Sequence, residues 1–474
     1  MEYIELNTGQ MQLLSGKQAW EYKIIPKSTT KDLLEFYSID DEENWIKIEE
    51  LELIFGKTIK LAPVNETLLV NTLKKYYYNG NKKKGLSRGK NSSGDFVEDL
   101  IEEAMNIGSS DIHLEPEENS GRVRYRVDGK LTERFNIKSE DYPGIVNKIK
   151  IKAKLDITEK RLPQDGRMEY KKNNLEFDIR VSILPTLYGE KLVLRLLSSG
   201  QENLSVDKIG FSEKQQEVYL KAVSKISGII LISGPTGSGK TTTLYTTLKQ
   251  LNTPQYNILT IEDPIEYTLD GINQVQLKEA IGLDFNKALR TFLRQDPDII
   301  MLGEIRDAKT AQMAIRSALT GHLVLSTVHT NSAWGTVSRL KDMGIPEYLL
   351  ADTLNICAAQ RLVRVLCDKC KVLTKVEEAI IPEAYKNGNK MYNKCYQPVG
   401  CPSCQYTGYK GRKALFEIIV IDSDFKEMIK SGDDKLKELK KSKGVESLGD
   451  VAFKLFIDGA TSFEEILPIL LSNE

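Results

Sequence analysis

Residues 228–251 read GIILISGPTGSGKTTTLYTTLKQL. GIILIS is apolar on both faces of any extended strand, as in a strand buried within a parallel sheet covered by helices. Gly234, Gly239, Lys240 and Thr241 fit the pattern G-x-x-x-x-G-K-[ST], and TTTLYTTLKQL reads as a helix. Glycines in such a loop let backbone N–H groups turn inward on phosphate oxygens, at a helix N-terminus whose dipole favours anions. A chance glycine-rich turn is the alternative, but strand, loop and helix are all in place. Gly234, Pro235, Thr236, Gly237, Ser238, Gly239, Lys240, Thr241 and Thr242 are therefore expected to cradle the phosphates of ATP. Lys240 is expected to reach the β- and γ-phosphates, and the Thr241 hydroxyl to bind Mg²⁺.

Three more apolar runs between the loop and residue 330 end in reactive residues. NILTI ends at Glu262-Asp263, DIIML at Gly303-Glu304, and HLVLST at Val328-His329. Ligands bind outside the carboxyl ends of strands in open parallel sheets, so all four strand ends are expected to face one nucleotide. Glu304 is expected to align the attacking water, and Glu262 or Asp263 to serve on the metal side or at an interface. Helix capping is the competing reading for Asp263 and Asp307. The chain has three histidines, at 113, 322 and 329. If 322–329 is one strand, its ends lie roughly 23 Å apart at about 3.3 Å per residue. Only His329 is then at the nucleotide end, where an imidazole can donate to a terminal phosphate. His322 is expected to pack or to lie at an interface. The competing reading for His329 is a satisfied core histidine.

With 474 residues, 41% hydrophobic and 28% charged, the chain is expected to form about three soluble domains. Net charge is −1, which leaves no basic field for nucleic acid or anionic lipid. The start, MEYIELNTGQMQLLSGKQAW, lacks a basic patch followed by a long apolar run. The longest apolar runs are too short to span a bilayer. A cytoplasmic location is expected, with cysteines reduced unless they hold metal.

The stretch 79–95, NGNKKKGLSRGKNSSGD, reads as a flexible linker after a small domain at 1–78. The small domain ends in an amphipathic helix over 65–78, with Asn65 as a possible cap. Residues 96–200 combine a helix with short alternating segments, suggesting an antiparallel α+β domain with one wet face. Residues 201–362 carry the nucleotide core. Within 363–410, Cys367-Asp-Lys-Cys370 and Cys401-Pro-Ser-Cys404 form two knuckles with 30 residues between them. Each can present two thiolates to one tetrahedral Zn²⁺, structural because four sulfurs leave no open position. Cys357 is expected to be a small buried hydrophobe, and Cys395 is not needed by the site. Residues 411–474 read as a helical tail.

GPTGSGKTTTLY, TIEDPIEY, LRQDPDIIMLGEIRD and TGHLVLSTVHTNSA resemble the four ordered motifs of the type II/type IV secretion ATPase superfamily. Within it the chain is similar to the assembly ATPases of type II secretion and type IV pilus machines. The match covers most of residues 60–474; Ala308-Lys309-Thr310 departs from it where an acid more often precedes the threonine. The resemblance implies a RecA-like P-loop NTPase core with a preceding α+β (PAS-like) domain. SSDIHLEP, RLPQDGR and DIRVSILPTLYGEKLVLRLL resemble the family's second N-terminal domain, whose arginines reach a neighbouring or adjacent nucleotide. On the matching positions these are Arg180 and Arg195, with Arg167 as a third. Read from the sequence alone, they would pair with acids on a solvated sheet face. GCPSCQYTGYKGR looks like the family's metal-binding insert. The resemblance further implies a homohexamer at the cytoplasmic face of the inner membrane, peripheral to it, working with platform and cytoplasmic-domain partners to assemble pilin or pseudopilin. Residues 1–78 match only in part and are expected to dock a membrane partner rather than to bind a cyclic dinucleotide.

Two rivals remain at this stage. A nucleic-acid-translocating ring ATPase with a zinc ribbon is disfavoured by the charge and the missing basic, aromatic-interleaved patch. A non-hydrolysing ATP-binding regulator is disfavoured by intact Lys240, Thr241 and Glu304.

Overall fold

The computed structural model describes residues 3–77, 96–197, 205–376, 381–386 and 395–472, apart from 5, 7–9, 11, 12, 15, 31, 32, 40–43, 173, 174, 375, 433 and 434. The expected linker, 79–95, lies outside the described residues. The chain divides into two compact units, Met1–Leu197 with Val399–Thr407, and Ser198–Pro398 with Gly408–Glu474.

The first unit holds two sheets. Strands β1 (Ile24–Thr29), β2 (Leu33–Ser38) and β3 (Thr58–Pro63) form one. Their core includes Leu69 and Leu73 of the helix Glu66–Tyr76, which Asn65 caps by accepting from Thr67 N at 2.8 Å. The other sheet is antiparallel, in the order β6-β5-β4-β9-β8-β7. Its strands are β4 (Ser109–Pro116), β5 (Ser120–Val127), β6 (Lys130–Lys138), β7 (Gln164–Lys172), β8 (Leu175–Thr186) and β9 (Gly189–Leu197). Alternation sends Val123, Tyr125, Ile179, Val181, Leu192 and Leu194 to one face, where helices α1 (Phe96–Asn106) and α2 (Tyr142–Lys152) cover them. The opposite face is charged.

The second unit is built on a seven-stranded sheet, β12-β11-β13-β14-β10-β15-β18. The strands are β10 (Gly228–Ser233), β11 (Ile258–Glu262), β12 (Asn273–Gln276), β13 (Ile299–Leu302), β14 (Leu323–Val328), β15 (Leu354–Leu366) and β18 (Tyr409–Val420). A separate pair is β16 (Val372–Thr374) and β17 (Cys395–Gln397). All ladders of the large sheet are parallel except β15 with β18. Every residue of β10, β11, β13 and β14 is buried, because helices cover both faces. Ile230 and Ile232 pack with α3 (Glu213–Val223) and α4 (Lys240–Leu251). Ile229 and Leu231 pack on the other side with α5 (Phe285–Phe292), α6 (Ala308–Leu319) and α7 (Ala333–Asp342). The C-terminal helices α8 (Ser423–Ser431), α9 (Leu436–Ser442), α10 (Leu448–Ile457) and α11 (Phe463–Leu471) join that second layer. Cys357 is fully buried there, and burial pushes its thiol up to about 12. No described helix is long and apolar enough to cross a membrane.

Candidate functional site

The loop between β10 and α4 takes its shape from three glycines with positive φ, Gly234 (150°), Gly237 (80°) and Gly239 (88°). Space also demands glycine at 234: a Cβ there would lie 2.5 Å from Gln360 O and 2.6 Å from Ser238 Oγ. α4 opens at Lys240, so its unpaired N–H groups face the loop. Lys240 Nζ donates to the carbonyls of Gly234 (2.8 Å) and Pro235 (3.0 Å). Burial lowers its affinity for the proton, the nearby Glu304 carboxylate opposes that, and Arg361 reinforces it. Pro235, Thr236, Gly237 and Thr241 are exposed, whereas Ser238 is buried.

The strand order sets the rest. β14 lies between β13 and β10, so the ends of these strands stand side by side beside the loop. Glu304 follows β13 by two residues, and His329 follows β14 directly. Their side chains meet, His329 Nε2 lying 3.2 Å from Glu304 Oε2. Arg306 pairs with the other oxygen of Glu304 and lies 3.9 Å from Asp263 Oδ2. Glu304 is mostly buried, and His329 is half exposed. His322, at the other end of β14, packs its Nδ1 2.8 Å from Ser317 O and 3.1 Å from Thr320 Oγ1. Asp307 caps α6, accepting from Thr310 N and Thr310 Oγ1, both at 2.9 Å.

Glu262 and Asp263 part company. The Glu262 carboxylate is buried and accepts from Tyr245 Oη, from Thr260 Oγ1 at 2.6 Å and from Gln274 Nε2 at 3.1 Å. Asp263 stays at the surface. Arg306 and Arg361 carried no role in the sequence reading. Arg306 sits two residues after Glu304, and that spacing was the signal for it. Arg361 is on β15, whose approach to Gly234 no local pattern announces.

The three arginines of the first unit form one row. Arg167 pairs with Arg180 across β7 and β8, and Arg180 with Arg195 across β8 and β9. Arg195 Nε donates to Asp111 Oδ1 at 3.0 Å. Four residues along β4 from Asp111, Glu115 is buried among Arg122, Arg124 and Lys191. Burial alone would raise the Glu115 carboxyl, but hydrogen bonds from those three cations outweigh it and hold the group at about 2.

The sulfurs of Cys367, Cys370, Cys401 and Cys404 all lie within 4.8 Å of one another, with Cys401 Sγ 3.7 Å from Cys404 Sγ. Such a group can hold a metal ion. Cys395 and Cys357 are outside it.

Comparison with known proteins agrees with this geometry. Residues 88–468 match the family described as Type II/IV secretion system protein. A type IV pilus assembly ATPase, PilB of Myxococcus xanthus, is 39% identical over 96% of this chain and 86% of its own length. Type II secretion system protein E of Pectobacterium carotovorum is 45% identical over 71% of this chain and 67% of its own. The chain spans less of some others, 42% of the Thermus thermophilus PilB. Among solved structures, the pilus retraction motor PilT with bound ADP aligns at a TM-score of 0.54 and 25% identity, over 79% of this chain and 97% of PilT. The Legionella pneumophila ATPase DotB aligns at 0.61 and 22%, over 80% and 95%. The family match over residues 88–468 and these relatives identify the chain as an ATPase of the Type II/IV secretion system protein family.

Proposed function

We propose that this chain is a hexameric, Mg²⁺-dependent ATP hydrolase that powers assembly of pilin or pseudopilin at the cytoplasmic face of an inner membrane. The observation that carries the proposal is the placement of Glu304, next to Lys240 in charge terms and 3.2 Å from His329. The backbone N–H groups of residues 236–242 grip the triphosphate, and the Lys240 ammonium leaves its two carbonyl partners for phosphate oxygens. The Glu304 carboxylate accepts from the attacking water and aligns it. His329 Nε2 faces that carboxylate, and in the protonated ring Nδ1 can donate to a terminal phosphate as well. Mg²⁺, when bound, would supply charge neutralisation, and the Thr241 hydroxyl and the surface carboxylate of Asp263 would hold it. Glu262, enclosed by Tyr245, Thr260 and Gln274, shapes the strand end instead.

Arg167, Arg180 and Arg195 reach the nucleotide of a neighbouring subunit. A guanidinium is permanently charged, and its planar fork suits a phosphate on which charge develops. This is one reason to expect a ring. Zn²⁺ fits the four thiols: bonds of about 2.3 Å in a tetrahedron imply sulfur separations of about 3.8 Å. Cys367, Cys370, Cys401 and Cys404 would hold it, and it would fix the fold locally. Residues 1–78 dock a membrane partner, and the finer division at 96–200, 201–362, 363–410 and 411–474 belongs to the same proposal.

Phosphate release by the purified chain tests it. Hydrolysis that needs Mg²⁺ and disappears in Glu304→Gln is expected; undiminished turnover in that variant overturns the reading.

A further inference from the structure

The turn that follows His329, residues 330–333, is anchored from three strands. Ser233 Oγ, at the end of β10 and one residue before the phosphate loop, donates to Ser332 O at 3.3 Å. Arg361 Nη2, from β15, donates to Asn331 O at 3.2 Å and to Asn331 Oδ1 at 3.3 Å. Glu417 Oε2, from β18, accepts from Ala333 N at 3.2 Å, at the first turn of α7. The Glu417 side chain is 2% exposed. Its other oxygen, Oε1, pairs with Lys440 Nζ, which α9 supplies from the C-terminal helices. A carboxylate so buried needs both partners, and it sits where the dipole of α7 favours a negative charge.

Among the described residues, Glu417 and Lys440 make no hydrogen bond or ion pair with the phosphate loop, Glu304 or His329; their side-chain partners are Ala333 N and each other. Glu417 meets the site through the turn and through its charge on Arg361, which itself holds Asn331 of that turn. We propose that Glu417 is a positioning residue for hydrolysis: with Lys440 it forms a buried strut that ties the C-terminal helices to the turn that follows His329. Displacement of α9 then changes the position of His329 relative to Glu304. The strut thereby gives the C-terminal helices control over turnover from outside the nucleotide site. This rests on the reading of His329 given above.

The test uses the full chain and steady-state ATP hydrolysis. Lys440→Met removes the charge and keeps most of the apolar stem; Lys440→Arg keeps the charge. In Lys440→Met, kcat is expected to fall about tenfold, in the range of residues that modulate a site they do not contact. KM for ATP and Kd for ADP stay within about twofold, as for a residue acting on the transition state alone. Lys440→Arg restores turnover. The double variant Glu417→Gln/Lys440→Met removes both buried charges together, so thermal stability recovers while kcat stays low. If kcat returns along with stability in the double variant, the pair is structural only and the proposal falls. Unchanged kcat in Lys440→Met beside a collapsed kcat in His329→Asn overturns the strut and leaves the site reading standing. Full turnover in His329→Asn overturns the site reading instead.

Discussion

His329 Nε2 lies 3.2 Å from Glu304 Oε2, although 24 residues separate the two in sequence. The contact exists because β14 runs parallel to β13, pairing Leu302 with Ser326, so that both strands deliver their next residues to one edge. That contact, with Arg306 on the other oxygen, holds the Glu304 carboxylate in one direction.

Loss of that carboxylate is expected to remove the chemistry and spare binding. Glu304→Gln should lower kcat by about 10²–10⁴-fold, the usual contribution of a positioned base. The Kd for a fluorescent ATP analogue should change little. His329→Asn should lower kcat by less, since Arg306 still holds the other oxygen of Glu304. Phosphate release and equilibrium binding measured on the same preparations separate the two effects.

Gly234→Ala is expected to abolish nucleotide binding. The new methyl would meet the Gln360 carbonyl at 2.5 Å in a backbone conformation with φ of 150°, which L residues rarely adopt. The loop must shift, and its amides leave the phosphate positions. Titration with the same analogue reads this directly, and a normal Kd would show that the loop does not grip as described.

A contribution of the arginine row from a neighbouring subunit can be read by mixing inactive chains. Arg180→Ala and Glu304→Gln should each be nearly inactive alone. Combined, they should recover measurable turnover, because some interfaces pair an intact Arg180 with an intact Glu304. No recovery at any mixing ratio would place Arg180 in its own subunit's site or outside the reaction.

Glu115 supplies a pH signature for the first unit. Its carboxyl is held at about 2 when folded, below its ordinary value of 4.5. A depressed carboxyl contributes stability that is fully present above about 4.5 and is lost as pH falls towards 2. At about 1.4 kcal/mol per unit, the contribution is on the order of 3 kcal/mol. The urea midpoint of Glu115→Gln should therefore lie well below that of the unaltered chain at pH 7, and the gap should shrink between pH 4.5 and 2. A gap independent of pH would mean that packing, not charge, explains the loss.

Metal removal is expected to act through the fold. Elemental analysis should give one zinc per chain, lost in Cys401→Ser and retained in Cys357→Ser and Cys395→Ser. A strong chelator or Cys401→Ser should lower the melting temperature, because binding free energy at such a site is folding free energy. An unchanged melting temperature after complete zinc loss would remove the structural role.

Much of the site was legible in local patterns. The phosphate loop is a short contiguous motif whose residues act together without help from distant chain. Buried parallel strands announce themselves as unbroken apolar runs, and the residue after each run falls at a strand end. Two cysteine pairs at fixed spacing imply one cluster. Glu262 shows the limit: the strand end was read correctly, yet its side chain turns inward to Tyr245, five residues past Lys240 on a different element. Arg195 shows another. It pairs with an acid on the sheet face, Asp111, as the residues alone suggested, whereas the family resemblance pointed it at a nucleotide.

What the sequence determined by itself was the set of parts: the loop, the strand ends, the thiol pairs and the alternation of the first unit's sheet. These follow from periodicity and from backbone chemistry acting over a few residues. What only the tertiary structure decided was which parts meet. The order β13-β14-β10-β15-β18 brings Glu304 to His329, Arg361 to Gly234, and Glu417 to Ala333. Strand order arises from packing of two helical layers over the whole sheet, a collective balance of buried area that no local stretch of chain encodes.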